Sequence, residues 1–211
     1  MKKLIIFFLP ICIILINCEQ KEKRNFFYPS IKRFEEIKNK DTLIIKEFKS
    51  YKNITDTLWY YTKHLKNKTP VFITENRNNK YYLKTVDLNY SCLPGIIKIK
   101  NIIGISKDSV FKQGDYYSID SLENILKTDL LNNRKNNHFA DSHKKLTIQL
   151  LRPYEQSIEE LNNQLISLFN IFNDINKKNN DTLTLNIDFE ELIILKPPPP
   201  PPTNMDWENL E

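Results

Sequence analysis

The residues of this chain best suited to metal or nucleophilic chemistry are three histidines and three cysteines. His138, Asp141 and His143 stand close in sequence, and Asp141-Ser142-His143 supplies the residue types of a hydrolase triad. Triads are assembled in space around a strained nucleophile turn and an oxyanion loop, and neither signature is present. A metal site needs at least three ligands in fixed geometry. Residues 132–142 read instead as a flexible polar loop rich in Asn and Lys, so His138, Asp141 and His143 are expected as solvated loop residues. His64 falls at the end of a predicted helix. Three glycines leave little material for a phosphate-cradling loop. Glu159-Glu160 and Glu190-Glu191 are adjacent acid pairs, of which the first belongs to helix capping. Tyr and Phe could form a glycan-binding platform, but strand and core use explains most of them. No catalytic residue, metal ligand set or cofactor is expected.

The cysteines point elsewhere. Lys2-Lys3 precedes an apolar run from Leu4 to Ile16, the form of a secretion signal. That run is about 13 residues, against the roughly 20 a spanning helix needs, and Pro10 interrupts it. It contains no Asp, Glu or Arg, hence no proton-carrying group. Leu15-Ile16-Asn17-Cys18 then resembles the lipobox of bacterial lipoproteins, with Asn17 where a small residue is usual. The resemblance implies cleavage before Cys18, acylation of its sulfur and attachment to a membrane in the bacterial cell envelope, on the periplasmic face or the cell surface. Several acyl chains on one residue anchor far better than one. Cys12 would leave with the signal. Cys92 is left single, either a reactive thiol or a small buried hydrophobe beside Pro94-Gly95.

Composition allows a packed core, at 40% hydrophobic and 27% charged residues. Loss of Lys2 and Lys3 with the signal leaves 29 Lys and Arg against 26 acids, a net charge of +3 spread without a basic block. That is a poor footprint for nucleic acid, and none is expected as a partner.

The elements that would position any site follow from periodicity. Residues 19–29 read as a tether. Ile31, Phe34 and Ile37 predict a helix over residues 30–40, and Leu43-Ile44-Ile45 a strand. Leu58, Tyr61 and Leu65 predict a helix from Asp56 behind Thr55-Asp56. Residues 70–88 read as a hairpin, with Val71-Phe72-Ile73 and Tyr81-Tyr82-Leu83 around a turn at 76–79. Ile97, Ile99, Ile103 and Ile105 alternate with a slip near Asn101, and a turn at Gln113-Gly114-Asp115 leads into Tyr116-Tyr117-Ser118. Asp120 to Glu123 has the form of a helix start, with Leu122, Ile125, Leu126 and Leu130 on one face. Leu146 to Leu150 alternates as a strand. Ser157 opens a capping box in which it should accept from the Glu160 amide, and the helix buries Ile158, Leu161, Leu165, Leu168, Phe169, Phe172 and Ile175. Leu183 to Ile187 is another alternating strand. The fold class is α+β, a small mixed sheet with two amphipathic helices on one face.

Beyond the acidic-apolar run from Phe189 to Leu195, the composition changes. Pro197, Pro198, Pro199, Pro200, Pro201 and Pro202 favour polyproline II at about 3.1 Å per residue. Trp207 and Leu210 follow among acids, at a spacing suited to an anchor pair. The segment is expected either as a disordered tail behind a stiff spacer or as a partner-docking peptide.

Residues 96–187 resemble the periplasmic domain of the ExbD/TolR family, the single-pass subunits of proton-driven energy-transfer complexes. The stretches that carry this are VFKQGDYYSIDSLENIL and TIQLLRPYEQSIEELNNQLISLFNIFNDI, with Ile148, Arg152, Tyr154, Asn163 and Asn170 in family-like spacing. The family couples protons through an acid in its membrane helix, which the apolar run lacks, so only the envelope role carries over. The resemblance implies a non-enzymatic interaction or accessory module that pairs with itself as a homodimer, with envelope proteins or with peptidoglycan. The alternative is a lineage-specific surface lipoprotein that binds a ligand or neutralises a toxin. A hydrolase with no visible site is the remaining reading. The expected organisation is a signal at 1–17, a tether at 18–29, α+β portions at 30–95 and 96–195, and a proline-rich tail at 196–211.

Overall fold

The computed structural model describes residues 23–85, 98–152 and 157–191. Among them the chain is α+β, built from two mixed sheets and four α-helices. The first sheet has the order β1 (Arg24–Tyr28), β4 (Asn79–Leu83), β3 (Thr69–Glu75), β2 (Lys40–Ile44). β3 and β4 are the expected hairpin, and the other two pairings are parallel. Asn76 closes the turn, its Oδ1 accepting the N–H groups of Asn78 at 2.9 Å and Asn79 at 2.8 Å. Residues 86–88 of that expected hairpin lie outside the described residues.

Several local readings need correction. Residues 24–28, read as tether, pair with β4 over their whole length, because their apolar side chains have a sheet to cover. The second strand stops at Ile44; Ile45 starts a 3-10 turn and is fully buried. Helix α1 (Ile31–Glu35) is shorter than expected, and only Phe34 meets a hydrophobic surface, the rings of Phe27 and Tyr82. Helix α2 (Tyr51–His64) begins five residues ahead of Asp56. Its cap is Ser50, whose Oγ accepts the Asn53 N–H at 3.3 Å, while Thr55 bonds back to the Lys52 carbonyl at 2.9 Å and cannot cap.

The second sheet has the order β7 (Asp115–Ser118), β6 (Ser109–Lys112), β5 (Ile102–Ile105), β8 (Thr147–Arg152), β9 (Asn186–Glu191). The slip near Asn101 is a 3-10 turn over Ile99–Asn101. Gln113 and Gly114 both take positive φ, 53° and 101°, as a two-residue reversal between twisted strands requires. Parallel β5, β8 and β9 need crossovers, which helices α3 (Leu122–Leu131) and α4 (Ile158–Lys177) supply. The predicted start of α3 at Asp120 is displaced by a 3-10 turn, capped by Ser118 through the Asp120 N–H. Ser157 caps α4 through the Glu159 amide at 3.2 Å, one residue short of the expected Glu160. β9 begins at Asn186, three residues late. Leu183 and Leu185 are buried ahead of it, and the Leu185 N–H donates to the Pro29 carbonyl at 3.2 Å, joining the two sheets' connections.

Register explains the core. Ile103, Ile148 and Ile187 form one cross-strand row, and Ile105, Leu150 and Phe189 the next, all buried. Helix α4 is covered on two adjacent faces. One carries Leu161, Leu165, Leu168 and Phe172. The other meets the first sheet: Phe169 stacks on Tyr28 at 4.3 Å and on Tyr81 at 5.0 Å. The Tyr28 and Tyr81 hydroxyls donate to Asn173 and Asn170, each at 2.9 Å, and Thr74 donates to Asn162. Tyr51 from α2 reaches across, its hydroxyl donating to the Leu150 carbonyl at 2.7 Å. A single hydrophobic cluster therefore runs through both sheets.

Candidate functional site

Cys18, Cys92, Pro197 to Pro202, Trp207 and Leu210 lie outside the described residues, as does the apolar N-terminal run. No described helix is long and apolar enough to cross a membrane. What the structure does place are two polar constellations and two exposed aromatic surfaces.

The first constellation fixes the long loop after α3. Lys112 on β6 points with Val110 toward the helices, and Asp129 occupies a buried position on the apolar face of α3. The Lys112 ammonium donates to Asp129 Oδ1 at 2.8 Å and to the Lys100 carbonyl at 2.7 Å. The same Oδ1 accepts the Ala140 N–H at 2.6 Å, so the loop is held by the ion pair. Asp129 Oδ2 is buried with no hydrogen-bond partner among the described residues. Burial pushes the Asp129 carboxyl up and the Lys112 ammonium down, each opposed by its partner.

Asp141, expected as solvated, is 7% exposed, and its carboxylate meets Lys100 at 2.7 Å, Lys98 at 3.5 Å and Lys145 at 3.9 Å. Its N–H donates to Asn101 Oδ1 at 2.8 Å, and Asn132 donates to the Ala140 carbonyl at 2.8 Å. The loop is thus an ordered strap, because its short polar side chains satisfy backbone groups that burial would otherwise strand. The hydrogen bond from Lys100 leads the causes that hold the Asp141 carboxyl down to about 2. A folded-state value below the unfolded 3.8 contributes stability fully present above pH 4 and lost as pH falls toward 2. Hydrogen exchange of residues 132–146, corrected for intrinsic rates, should therefore accelerate in that window. Asp141→Asn should abolish this pH step; an unchanged step would assign it to another carboxyl.

The triad residue types diverge. The Asp141 carboxylate is taken by lysines, and His143 Nδ1 accepts the Thr184 N–H at 3.1 Å. Burial leads the causes that lower the His143 pKa, with Lys144 and Arg33 adding to it, so its imidazole is neutral at pH 7. His138 is exposed, with its carbonyl accepting from Gln113. No group of three or more His, Cys, Asp or Glu converges as a metal site among the described residues.

The exposed surfaces are two. β7 is an edge strand exposed throughout, with Tyr116 75% and Tyr117 42% exposed. On α2, Lys52, Asp56, Trp59, Tyr60, Lys63 and His64 form an exposed stripe at helical spacing. Trp59 is 45% and Tyr60 50% exposed. Lys63 Nζ sits 4.5 Å over the Trp59 ring, and the His64 ring lies 5.1 Å from Tyr60. Helix α2 joins two parallel strands, so it runs back against them, and its C-terminal half lies where β3 starts at Thr69. The chain enters β1 at the opposite end, where Lys23 pairs with Glu75 at 3.0 Å. About 20 Å of strand separates the two ends. A cleft of about 420 Å³ between α1 and the segment after β4 is lined by Pro29, Arg33, Glu36, Ile37, Lys84 and Thr85.

The fold and these surfaces define an α+β domain with exposed aromatic faces. No protein-family model matches the chain, and no curated protein or solved structure matches it significantly.

Proposed function

We propose that this chain is a lipid-anchored protein of the bacterial envelope that works by binding, as an interaction or accessory module of ExbD/TolR-type complexes. The observation that carries this is the sequence Leu15-Ile16-Asn17-Cys18 after a short apolar run, with the first strand starting only six residues later at Arg24. A thioether-linked acyl group at Cys18 would hold the domain close to the bilayer. Six extended residues span at most about 20 Å. The β6-β7-α3-β8-α4-β9 order over residues 109–191, with α3 and α4 as the crossovers between parallel strands, is the order on which the family resemblance rests. The exposed β7 edge and the α2 stripe offer surfaces for partners, and Trp207 with Leu210 supplies a docking pair. Nothing in this reading requires catalysis.

Cys18→Ser decides the anchor. In cells fed a labelled fatty acid, the parent chain should carry label and sediment with membranes. The variant should lose the label and accumulate as the uncut precursor. Labelling of the variant at parental level would sink the proposal.

A further inference from the structure

We propose that the acidic segment 203–211 docks in cis on the exposed stripe of α2, with Trp207 and Leu210 against Trp59 and Tyr60. The inference rests on reading Trp207 and Leu210 as a docking pair, and it names what they dock against.

Charge is the first argument. Residues 57–68 carry Lys63, His64, Lys66 and Lys68 and no acid, and the one acid of the stripe, Asp56, is paired with Lys52 at 2.6 Å, whereas residues 203–211 carry Asp206, Glu208 and Glu211 and no cation. Lys68 is engaged by Asp41 at 3.2 Å, which leaves Lys63 and Lys66 as the cations nearest the aromatic rings in sequence. Apolar anchors are the second argument. Trp59 and Tyr60 are exposed side by side while Tyr61 beside them is buried, so the helix presents aromatic area that its own fold does not cover. Trp207 and Leu210 stand three apart, the spacing of neighbours on one helical face.

Reach is the third. The described chain ends at Glu191 in β9, and β9 touches α2, since the Phe189 and Tyr51 rings meet edge to face at 6.0 Å. Trp59 to Lys63 lie about 12–18 Å farther along the helix at 1.5 Å per residue. Six residues at the polyproline II rise would span roughly 19 Å, and the five residues 192–196 could add up to about 17 Å. A linker of this length is long enough for the distance, and linking the segment to α2 in one chain raises its effective concentration there.

The test is zero-length carbodiimide cross-linking of the full chain in detergent, read by peptide mass spectrometry in the monomer band. The expected result is Lys63 or Lys66 joined to Asp206, Glu208 or Glu211, with yields falling as salt is raised. Lys63→Glu should lose its cross-links, and Lys63→Glu with Glu208→Lys should restore one between positions 63 and 208. A control, Lys127→Glu on the exposed side of α3, should leave the pattern unchanged. Cross-links spread evenly over surface lysines, present only in a dimer band, or not restored by the charge swap would each overturn docking in cis. Those failures leave acylation at Cys18 untouched, and loss of acylation would leave the cross-links untouched, so the two proposals fail separately.

Discussion

Lys112→Met is expected to lower stability by about 3–5 kcal/mol, because it leaves Asp129 charged, buried and short of its cation. Asp129 is 0% exposed and Lys112 5%, so neither can recover hydration without opening the structure. The effect should not stay local. Asp129 Oδ1 also accepts the Ala140 N–H, so losing the pair releases the strap over residues 132–146. Denaturant unfolding would measure the loss, and hydrogen exchange would show the strap opening first. Replacing both partners, Lys112→Met with Asp129→Leu, should recover most of the deficit, since an apolar pair of similar volume escapes the desolvation cost. The pH sign follows from burial. The folded-state pKa of Asp129 lies above its unfolded value, so the folded variant takes up a proton first. Acidification through that pKa should therefore narrow the gap to the parent. A single variant within about 1 kcal/mol of the parent would show that water reaches the pair.

Phe169→Ala should cost a comparable amount, about 3–5 kcal/mol, through a cavity at the junction of the two sheets. The Phe169 ring is stacked nearly parallel to Tyr28, at 7°, and to Tyr81, at 24°, so removing it exposes two aromatic faces to a void. Tyr28 and Tyr81 cannot collapse freely into that space, because Asn173 and Asn170 hold their hydroxyls. Thermal melting would give the magnitude. Protection factors in β1 and β4 should fall before those in β8 and β9, because the first pair leans on this ring. Equal loss across both sheets would mean that the junction is not where stability concentrates.

The long apolar stripes were the legible part of the fold. Seven residues of α4 named from 3.6-residue spacing are buried, and α3, β8 and the hairpin of the first sheet fall close to their expected places. Boundaries failed where a side chain rather than periodicity decides. Ser50 outcompeted Thr55 for the α2 cap, and Leu183 and Leu185 alternate like strand residues but are spent on the junction with Pro29. The first sheet's outer pairing was not legible, since nothing local says that β1 will pair in parallel with a strand some fifty-five residues away. The Lys112–Asp129 pair did leave a signal. Lys112 falls two residues after Val110 on an alternating strand, and Asp129 lies four after Ile125 on an apolar stripe. A charge at each of two inward positions is the pattern of a buried pair. Trp59 and Tyr60 likewise fall off the face that Leu58 and Tyr61 define, which marks them as exposed aromatics. Asp141 gave no such signal, because the lysine it meets most closely, Lys100, sits with Lys98 some forty residues earlier in the chain, and only Lys145 is local.

Mechanical load is where the first strand acquires a further meaning. A pull transmitted through residues 18–23 enters β1 at Arg24 and runs along the strand axis. All five pairings with β4, from Arg24–Asn79 to Tyr28–Leu83, are then loaded together in shear rather than opened one at a time. At the far end Tyr28 is wedged against Phe169, with its hydroxyl bonded to Asn173, so the strand cannot slide without dragging a ring out of the core. A domain held this way resists traction on the segment before Arg24 best along the axis of β1.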